Sequence, residues 1–422
     1  MERVLVRDFK RFIGKEILFK GWLAQIRKLG GITFLLLRDR TGEIQGVLEN
    51  RNLFLPSKES CVEVVGVVKE ERQAPGGIEL LIKEIKTISE AKELPFEIGR
   101  ERYLNVKLDT LLDYRPLVLR NPKVGTIFRV EAEIVKHFRE FLTKKDFLEV
   151  FTSKIISQAT EGGSALFPIQ YFEKKAYLTQ SPQFYKQMLV GAGYERVFEV
   201  GFVYRAEEHD TSRHLNEYLS LDLEMGFISD EGEVMDLEEE LLRYIISRLN
   251  ERDDYLKVFG ISEISFPKGI PRITFDEAKE ILSGDKGCDL TFEEERNLAR
   301  YVKERYDSDF VFVTKFPYFL RPFYTMPDEK RPYCRSFDLL YRGVEVTTGS
   351  QRIHEAKVLR ENMVAFGLRP EDFGFYLMIF DYGMPPHGGL AIGLERLTVG
   401  LLGLRNIREA SLFPRDRKRL IP

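Results

Sequence analysis

The sequence predicts an α+β protein in two unequal parts, and three observations carry that prediction. Up to about Leu94 the apolar residues come in five short, β-branched runs broken by turn signals. Beyond Asn121, long amphipathic helical patterns alternate with strands. Between those helices lies Val200 to Phe227, apolar and alternating at both ends and charged in the middle.

The N-terminal runs are Ile17–Leu23, Ile32–Leu37, Ile44–Leu48, Val62–Val68 and Ile78–Ile88, with turns at Lys28–Gly31, Arg40–Gly42 and Ala74–Gly77. Five short strands suit a small closed barrel, and the OB-fold is a five-stranded barrel that binds oligonucleotides. A purely structural barrel has the same pattern. If the barrel does bind, bases stack on aromatic faces and are read by side-chain amides, which selects Phe34 and Gln45, and Arg27 at the first turn could hold a phosphate. Residues 95–121 lose this regularity and read as a linker or hinge, with a helical patch around Leu108–Leu112.

Composition narrows the class. The 422 residues suffice for two or three domains, and 43% hydrophobic content with both charge signs spread throughout reads as a soluble globular chain. There is no apolar run of bilayer-spanning length, and the charged start MERVLVRDFK is unlike a signal peptide, so a cytoplasmic protein is expected. Cys61, Cys288 and Cys334 are far apart and form no CxxC, which suggests neither a disulfide framework nor a zinc site. The net charge of −3 neither supports nor excludes nucleic-acid binding, which needs only a local basic surface.

In the central stretch, Val200, Phe202 and Tyr204 lead into a polar loop and Tyr218 to Met225 lead out of it. Two strands joined by a loop are expected, with Arg205 at the loop entrance and Ser220, Asp222 and Glu224 on one face. Such a face is either a floor for a charged ligand or a solvated surface hairpin. Before it come a helix expected from Val124 to Thr143, a strand from Phe147 to Ile156, and TEGGSALF from Thr160, either a loop that closes over a small substrate or an ordinary turn. The segment YLTQSPQFYKQML from Tyr177 should be a strand opening into a helix, with Gln183 and Lys186 on one helical face. A lysine so placed is more often simply solvated.

After the hairpin, Glu233–Asn250 reads as an amphipathic helix, and Tyr255–Tyr306 as scaffold. Strands are expected at Phe310–Phe316 and Ser336–Arg342. Asp338 and Glu345 are acidic positions on apolar runs, suited to hydrated Mg²⁺ bridging phosphates or else to edge carboxylates satisfied by backbone. In Gly383–Gly403 a glycine-rich strand enters a helix near Arg396, a guanidinium fork for phosphate oxygens. It is neither a P-loop nor a Rossmann fingerprint.

In this order TEGGS, QSPQFYKQ, YRAEEHDTSRHLNEY, GVEVTTGSQRIH and GMPPHGGLAIGLERL resemble the class II aminoacyl-tRNA synthetases, and among them the compact archaeal-type aspartyl group. The resemblance covers nearly the whole chain. It implies an OB-fold anticodon-binding domain at 1–94, a hinge at 95–121, and a catalytic domain at 122–422 with a six-stranded antiparallel sheet flanked by helices, assembled as a homodimer. The implied activity has the carboxylate of L-aspartate displace pyrophosphate from ATP to give an adenylate, from which the 3′ end of tRNA-Asp takes the aminoacyl group.

Carried over motif by motif, the resemblance places Arg205 on the α-phosphate and substrate carboxylate, Glu207 on the adenine amino group and Tyr218 under the adenine ring. Arg213 or His214 reaches the outer phosphates, and Arg396 the γ-phosphate. Asp338, Glu345 and Thr348 form the Mg²⁺ site. Glu161, Ser164, Gln183 and Asp222 cradle the α-amino group, while Lys186 and Arg352 flank the side chain and select a carboxylate over a neutral amide. The asparagine-specific relatives usually lack the lysine and are acidic at the position of His354, which makes them the second candidate.

Two positions depart from the pattern. Ser153 replaces a proline that lies at the dimer interface in relatives. Ala24 stands where forms restricted to tRNA-Asp tend to carry tryptophan, so charging of tRNA-Asn as well is expected. A ligase for free amino acids would lack the barrel, and an RNA-binding paralogue would lack Arg205 or Arg396. This chain keeps all three.

Overall fold

The computed structural model describes residues 1–49, 54–99, 106–159, 166–208, 211–330 and 332–422. It divides into two compact units, Met1–Val106 and Lys107–Pro422, the boundary falling within the stretch read as a hinge.

In the first unit, β1 (Glu16–Leu29), β2 (Ile32–Asp39), β3 (Gly42–Leu48), β4 (Cys61–Glu70) and β5 (Ile78–Ser89) close a barrel in the order β1-β2-β3-β5-β4. Alternation fills it: Ile17, Phe19, Leu23, Leu35, Leu37, Val62, Val64 and Leu80 are buried inside. A two-residue turn containing Gly30 (φ +59°) joins β1 to β2. The next turn is fixed by Asp39, whose carboxylate accepts from the Thr41 and Gly42 amides and the Thr41 hydroxyl.

The second unit opens with α1 (Leu108–Asp113), α2 (Arg115–Val118) and α3 (Pro122–Lys144). Helix α3 starts where the Asn121 side chain accepts from the Lys123 and Val124 amides. The strand expected over Phe147–Ile156 is instead two pieces, β6 (Leu148–Glu149) and β7 (Ile155–Ile156). Between them Glu199 captures the Thr152 amide and hydroxyl and the Lys154 ammonium, so side-chain bonds replace the ladder.

Next come β8 (Pro168–Tyr171), β9 (Lys174–Leu178), α4 (Gln183–Leu189), β10 (Arg196–Tyr204) and β11 (Glu217–Gly226). Helix α5 (Glu231–Asn250), capped by Asp230, is followed by α6 (Asp253–Leu256), β12 (Arg272–Thr274), α7 (Phe275–Leu282) and α8 (Phe292–Tyr306). The chain continues through β13 (Phe310–Thr314), β14 (Ser336–Tyr341), β15 (Val344–Arg352), α9 (Ala356–Ala365), α10 (Gly374–Leu377), β16 (His387–Gly393) and α11 (Leu394–Leu402).

The main sheet has the order β12-β13-β14-β15-β16-β11-β10-β6. Its six central strands, β13 to β10, are antiparallel throughout, as expected, and the short edge strands β12 and β6 each add a parallel pairing. One face packs on α3, α5 and α11: Leu221, Leu223, Leu390 and Ile392 meet Val130, Ile134, Leu241 and Ile245 there. Each such side chain, fully buried, contributes about 1.5–3 kcal/mol. Among the described residues no helix is long and apolar enough to cross a membrane, and all three cysteines are free.

Candidate functional site

The other face of the sheet is the floor of a cleft of about 400 Å³. Period-two alternation builds it, because each strand that sends leucine or isoleucine into the helical core sends its intervening residues into the cleft. Register aligns those residues in rows: Asp222, Ala391, Thr348 and Asp338 in one, and Glu224, Gly389, Ser350 and Ser336 in the next. The valley runs along β16, whose cleft-facing positions are Gly389, Ala391 and Gly393. A Cβ on Gly389 would lie 2.2 Å from Glu224 Oε2, so only glycine lets that carboxylate lie flat across the strand.

At the β16 entrance the floor is ionic and buried. Lys186 Nζ, from α4, donates to Asp222 Oδ1 at 3.0 Å and to the carbonyls of Leu223 (3.3 Å) and Leu390 (3.0 Å). Arg352 grips Glu224 with Nε (2.9 Å) and Nη2 (3.3 Å), and Nη2 also reaches the Gly389 carbonyl. Burial opposes the charge on Glu224, yet Arg352 and Lys186 hold its carboxyl below the usual range. Ser220 donates to Asp222 Oδ2 at 2.6 Å. Gln183 is buried beside them, and its Nε2 has no hydrogen-bond partner among the described residues.

These contacts correct the charge argument for specificity. Lys186 and Arg352 both line the cleft as expected, but each already has a carboxylate partner, Asp222 and Glu224 respectively, so the pair is not an uncompensated positive pocket. Asp222, assigned to the α-amino cradle, is the partner of Lys186. Glu161 and Ser164 lie outside the described residues.

Toward the β16 exit stand the groups expected to meet ATP. Arg205, Glu207, Arg213, His214, Tyr218, Glu345 and Arg396 all line the cleft. Asn216 holds the loop entrance: its side-chain amide donates to the carbonyls of Arg205 (2.7 Å) and Glu207 (3.2 Å). The Arg205 guanidinium lies 5.9 Å from the Tyr218 ring centroid. Arg213 is engaged with Glu295 at 2.8 Å and with the Gly343 carbonyl, and covers the Phe292 ring. His214 Nδ1 is 2.7 Å from the Thr211 hydroxyl.

A bulge decides the third group. Between the pairings Leu339↔Thr347 and Leu340↔Glu345, β15 carries one extra residue, Val346. Strict alternation would send Glu345 to the helical face; the bulge turns it to the cleft beside Thr348, whose hydroxyl donates to Glu345 Oε1 at 3.2 Å. Arg396 Nη1 holds the Glu345 carbonyl at 2.9 Å. Asp338 lies deeper, paired through Oδ2 with Arg321 at 2.5 Å, while its Oδ1 has no hydrogen-bond partner among the described residues. Burial raises the Asp338 pKa to about 7, and Arg321 works against that rise.

Two carboxylates and a hydroxyl, one carboxylate oxygen unsatisfied, have the donor chemistry that fits a hydrated divalent cation such as Mg²⁺; among the described residues no three acidic, histidine or cysteine side chains gather into a protein-only cage. Arg321 and Asn216 are site residues that the sequence does not single out, and Glu224, placed on the ligand-facing strand face, has no role assigned to it there. No periodicity marks Arg321, whereas Glu224 was legible on the face of Asp222.

The barrel has a separate candidate face. Its register sets Arg27 opposite Phe34, and Gln25 and Gln45 on either side of Leu36. These residues line a small hollow with Pro75. The cause is again a bulge. Leu23 pairs with Leu37 and Gln25 with Leu36, so Ala24 is the extra residue and the side chains after it change face. Arg27 and Gln25 therefore point outward, and Gln25 joins the three residues chosen from the sequence.

Residues 107–417 match the family model for tRNA synthetases class II (D, K and N), and 17–88 match that of the OB-fold nucleic acid binding domain. The chain is 52% identical to an aspartate–tRNA(Asp/Asn) ligase of Thermus thermophilus over the full length of both. It is 44% identical to an aspartate–tRNA(Asp) ligase of Pyrococcus horikoshii, covering 97% of each. Among solved structures it resembles the asparaginyl-tRNA synthetase of Pyrococcus horikoshii complexed with asparaginyl-adenylate, with a TM-score of 0.92, 33% identity and all of both chains covered.

Proposed function

The chain belongs to the class II tRNA synthetases (D, K and N), and from that premise we propose that it activates L-aspartate with ATP and transfers it to tRNA-Asp and tRNA-Asn. The observation that carries the proposal is one cleft with Lys186, Asp222 and Arg352 at one end of β16 and Arg205, Arg213 and Arg396 at the other.

An oxygen of the aspartate α-carboxylate attacks the α-phosphorus of ATP, and pyrophosphate leaves. The terminal tRNA hydroxyl then attacks the carbonyl of the adenylate, and AMP leaves. Alignment and charge stabilisation suffice for both steps. Arg205 holds the α-phosphate against the carboxylate, with Glu207 and Tyr218 gripping the adenine. Arg396, with Arg213 or His214, draws the outer phosphates away, and Gln183 offers its orphan amide to the substrate. Mg²⁺, held by Asp338, Glu345 and Thr348, would supply neutralising charge on the phosphates.

In this reading residues 1–94 bind the anticodon, 95–121 act as hinge and 122–422 are catalytic. The protein works in the cytoplasm as a homodimer, supported by Leu148, Phe151, Ile155 and Phe202, apolar side chains exposed near the β6 edge. Light scattering across a concentration series tests the dimer.

Aspartate-dependent ATP–pyrophosphate exchange, run beside asparagine, tests the activity. Asparagine is the second reading, favoured by the carboxylate partners that Lys186 and Arg352 already have. An unchanged aspartate preference in Lys186→Leu would remove that lysine from the explanation. For the tRNA, Ala24 in the bulge and the Asp/Asn name of the Thermus relative support dual charging. A preference above about a hundredfold for one purified tRNA, some 2.7 kcal/mol, would sink it.

A further inference from the structure

The residues beside the two cations of the amino-acid end are bonded to each other. Gln187 follows Lys186 in α4, and His387 is the cross-strand partner of Arg352, on the same face of the sheet. Gln187 Nε2 lies 2.8 Å from His387 Nε2. The Tyr376 hydroxyl donates to Gln187 Oε1 at 3.0 Å, which turns the amide nitrogen toward the imidazole. On its other side His387 Nδ1 lies 2.8 Å from the Pro385 carbonyl. A carbonyl only accepts, so Nδ1 carries the proton and Nε2 takes one from Gln187. Burial lowers the His387 pKa to about 4, which keeps the ring neutral. All three side chains are fully buried.

Resting on the aspartate reading above, we infer that Tyr376, Gln187 and His387 are positioning residues: a brace that sets the distance between Lys186 and Arg352 and thereby the discrimination of aspartate from asparagine. None of the three lines the cleft, so they act through the two cations. Without the brace α4 is free to shift against β15 and β16. A pocket selecting between an oxygen and an amide nitrogen depends on such placement, because a misplaced donor is left unpaired in a closed site.

The test is exchange kinetics on the full chain with aspartate and with asparagine, beside thermal melting. In Gln187→Met, of similar volume, the ratio of kcat/KM for aspartate to that for asparagine should fall about tenfold or more, with KM for ATP within about twofold of its original value. Tyr376→Phe should give a smaller fall in the same direction. The paired variants His387→Asn and His387→Gln separate positioning from stability. Asparagine can still donate to Pro385 but cannot reach Gln187, whereas glutamine reaches Gln187, so only His387→Asn should lose selectivity at similar melting temperatures. If the wild-type protein fails to activate aspartate, the aspartate reading falls and this inference with it. If the wild type selects aspartate and Gln187→Met keeps the ratio, or the two His387 variants lose it alike, the brace is overturned while the activity stands.

Discussion

The cleft floor and the outer face of the barrel are both rows of strand residues brought together by register, yet their electrostatics are opposite. In the cleft, Lys186, Arg352 and Arg321 are buried against Asp222, Glu224 and Asp338. On the barrel Arg27 is exposed and donates to Gln25 at 3.3 Å, while Gln45 donates to Glu79 at 3.2 Å. A pocket for a small charged ligand needs immobile charges, and a buried charge needs a partner. A face for bases needs only π surfaces and amides, which can remain wet.

The largest effect should come from breaking a buried pair. Arg352→Leu leaves buried Glu224 without its bidentate partner, with Lys186 3.5 Å away, and should cost about 3–5 kcal/mol in denaturant unfolding, with loss of aspartate-dependent exchange. Adding Glu224→Leu should restore much of the stability and none of the exchange. A loss below about 1 kcal/mol for the single variant would put the cleft on the same footing as the barrel.

Glu238 sharpens the contrast from the helical face of the sheet, as a fully buried acid beside the Thr347 hydroxyl and, among the described residues, without an ion-pair partner. Burial lifts its pKa from 4.5 to about 8. The folded state therefore holds a proton that the unfolded state releases, so this contribution is complete below pH 4.5, falls as pH rises toward 8, and levels off above it. Glu238→Gln should flatten that decline, its stability advantage growing to the order of a few kcal/mol at the alkaline end. Urea titrations at pH 5, 7 and 9 would show parallel curves if the carboxyl titrates normally.

Phe34→Ala on the barrel should weaken tRNA charging by about 1–3 kcal/mol in kcat/KM, the worth of one stacked base. Amino-acid exchange should not change, and melting should correspond to a loss within about 0.5 kcal/mol. A change in exchange would contradict the separation of the two sites. The smallest effect belongs to Arg27→Ala, which should lower the salt dependence of tRNA binding by roughly one unit of slope, measured as Kd from 50 to 200 mM salt. An unchanged slope would remove Arg27 from the phosphate contacts.

Most of the frame was legible because strand and helix periods are local. The five barrel strands, α3, α5, the β10–β11 hairpin and the strand that enters α11 can be read from alternation and amphipathicity over windows of ten to twenty residues. The edge at 147–156 was not, because Glu199, about fifty residues away in sequence, bonds Thr152 and Lys154 in place of a ladder.

By itself the sequence determined which faces of β11 and β16 carry chemistry, since side-chain direction follows from position parity within a strand. It also supplied the small residues that open the valley of the cleft. The tertiary structure alone decided where parity breaks: at Ala24, which turns Arg27 outward, and at Val346, which turns Glu345 into the cleft. It alone decided which ion answers which, because Arg352 meets Glu224 across 128 residues of chain. Bulges and buried ion pairs depend on the partner strand, and that partner is chosen only when the whole sheet assembles.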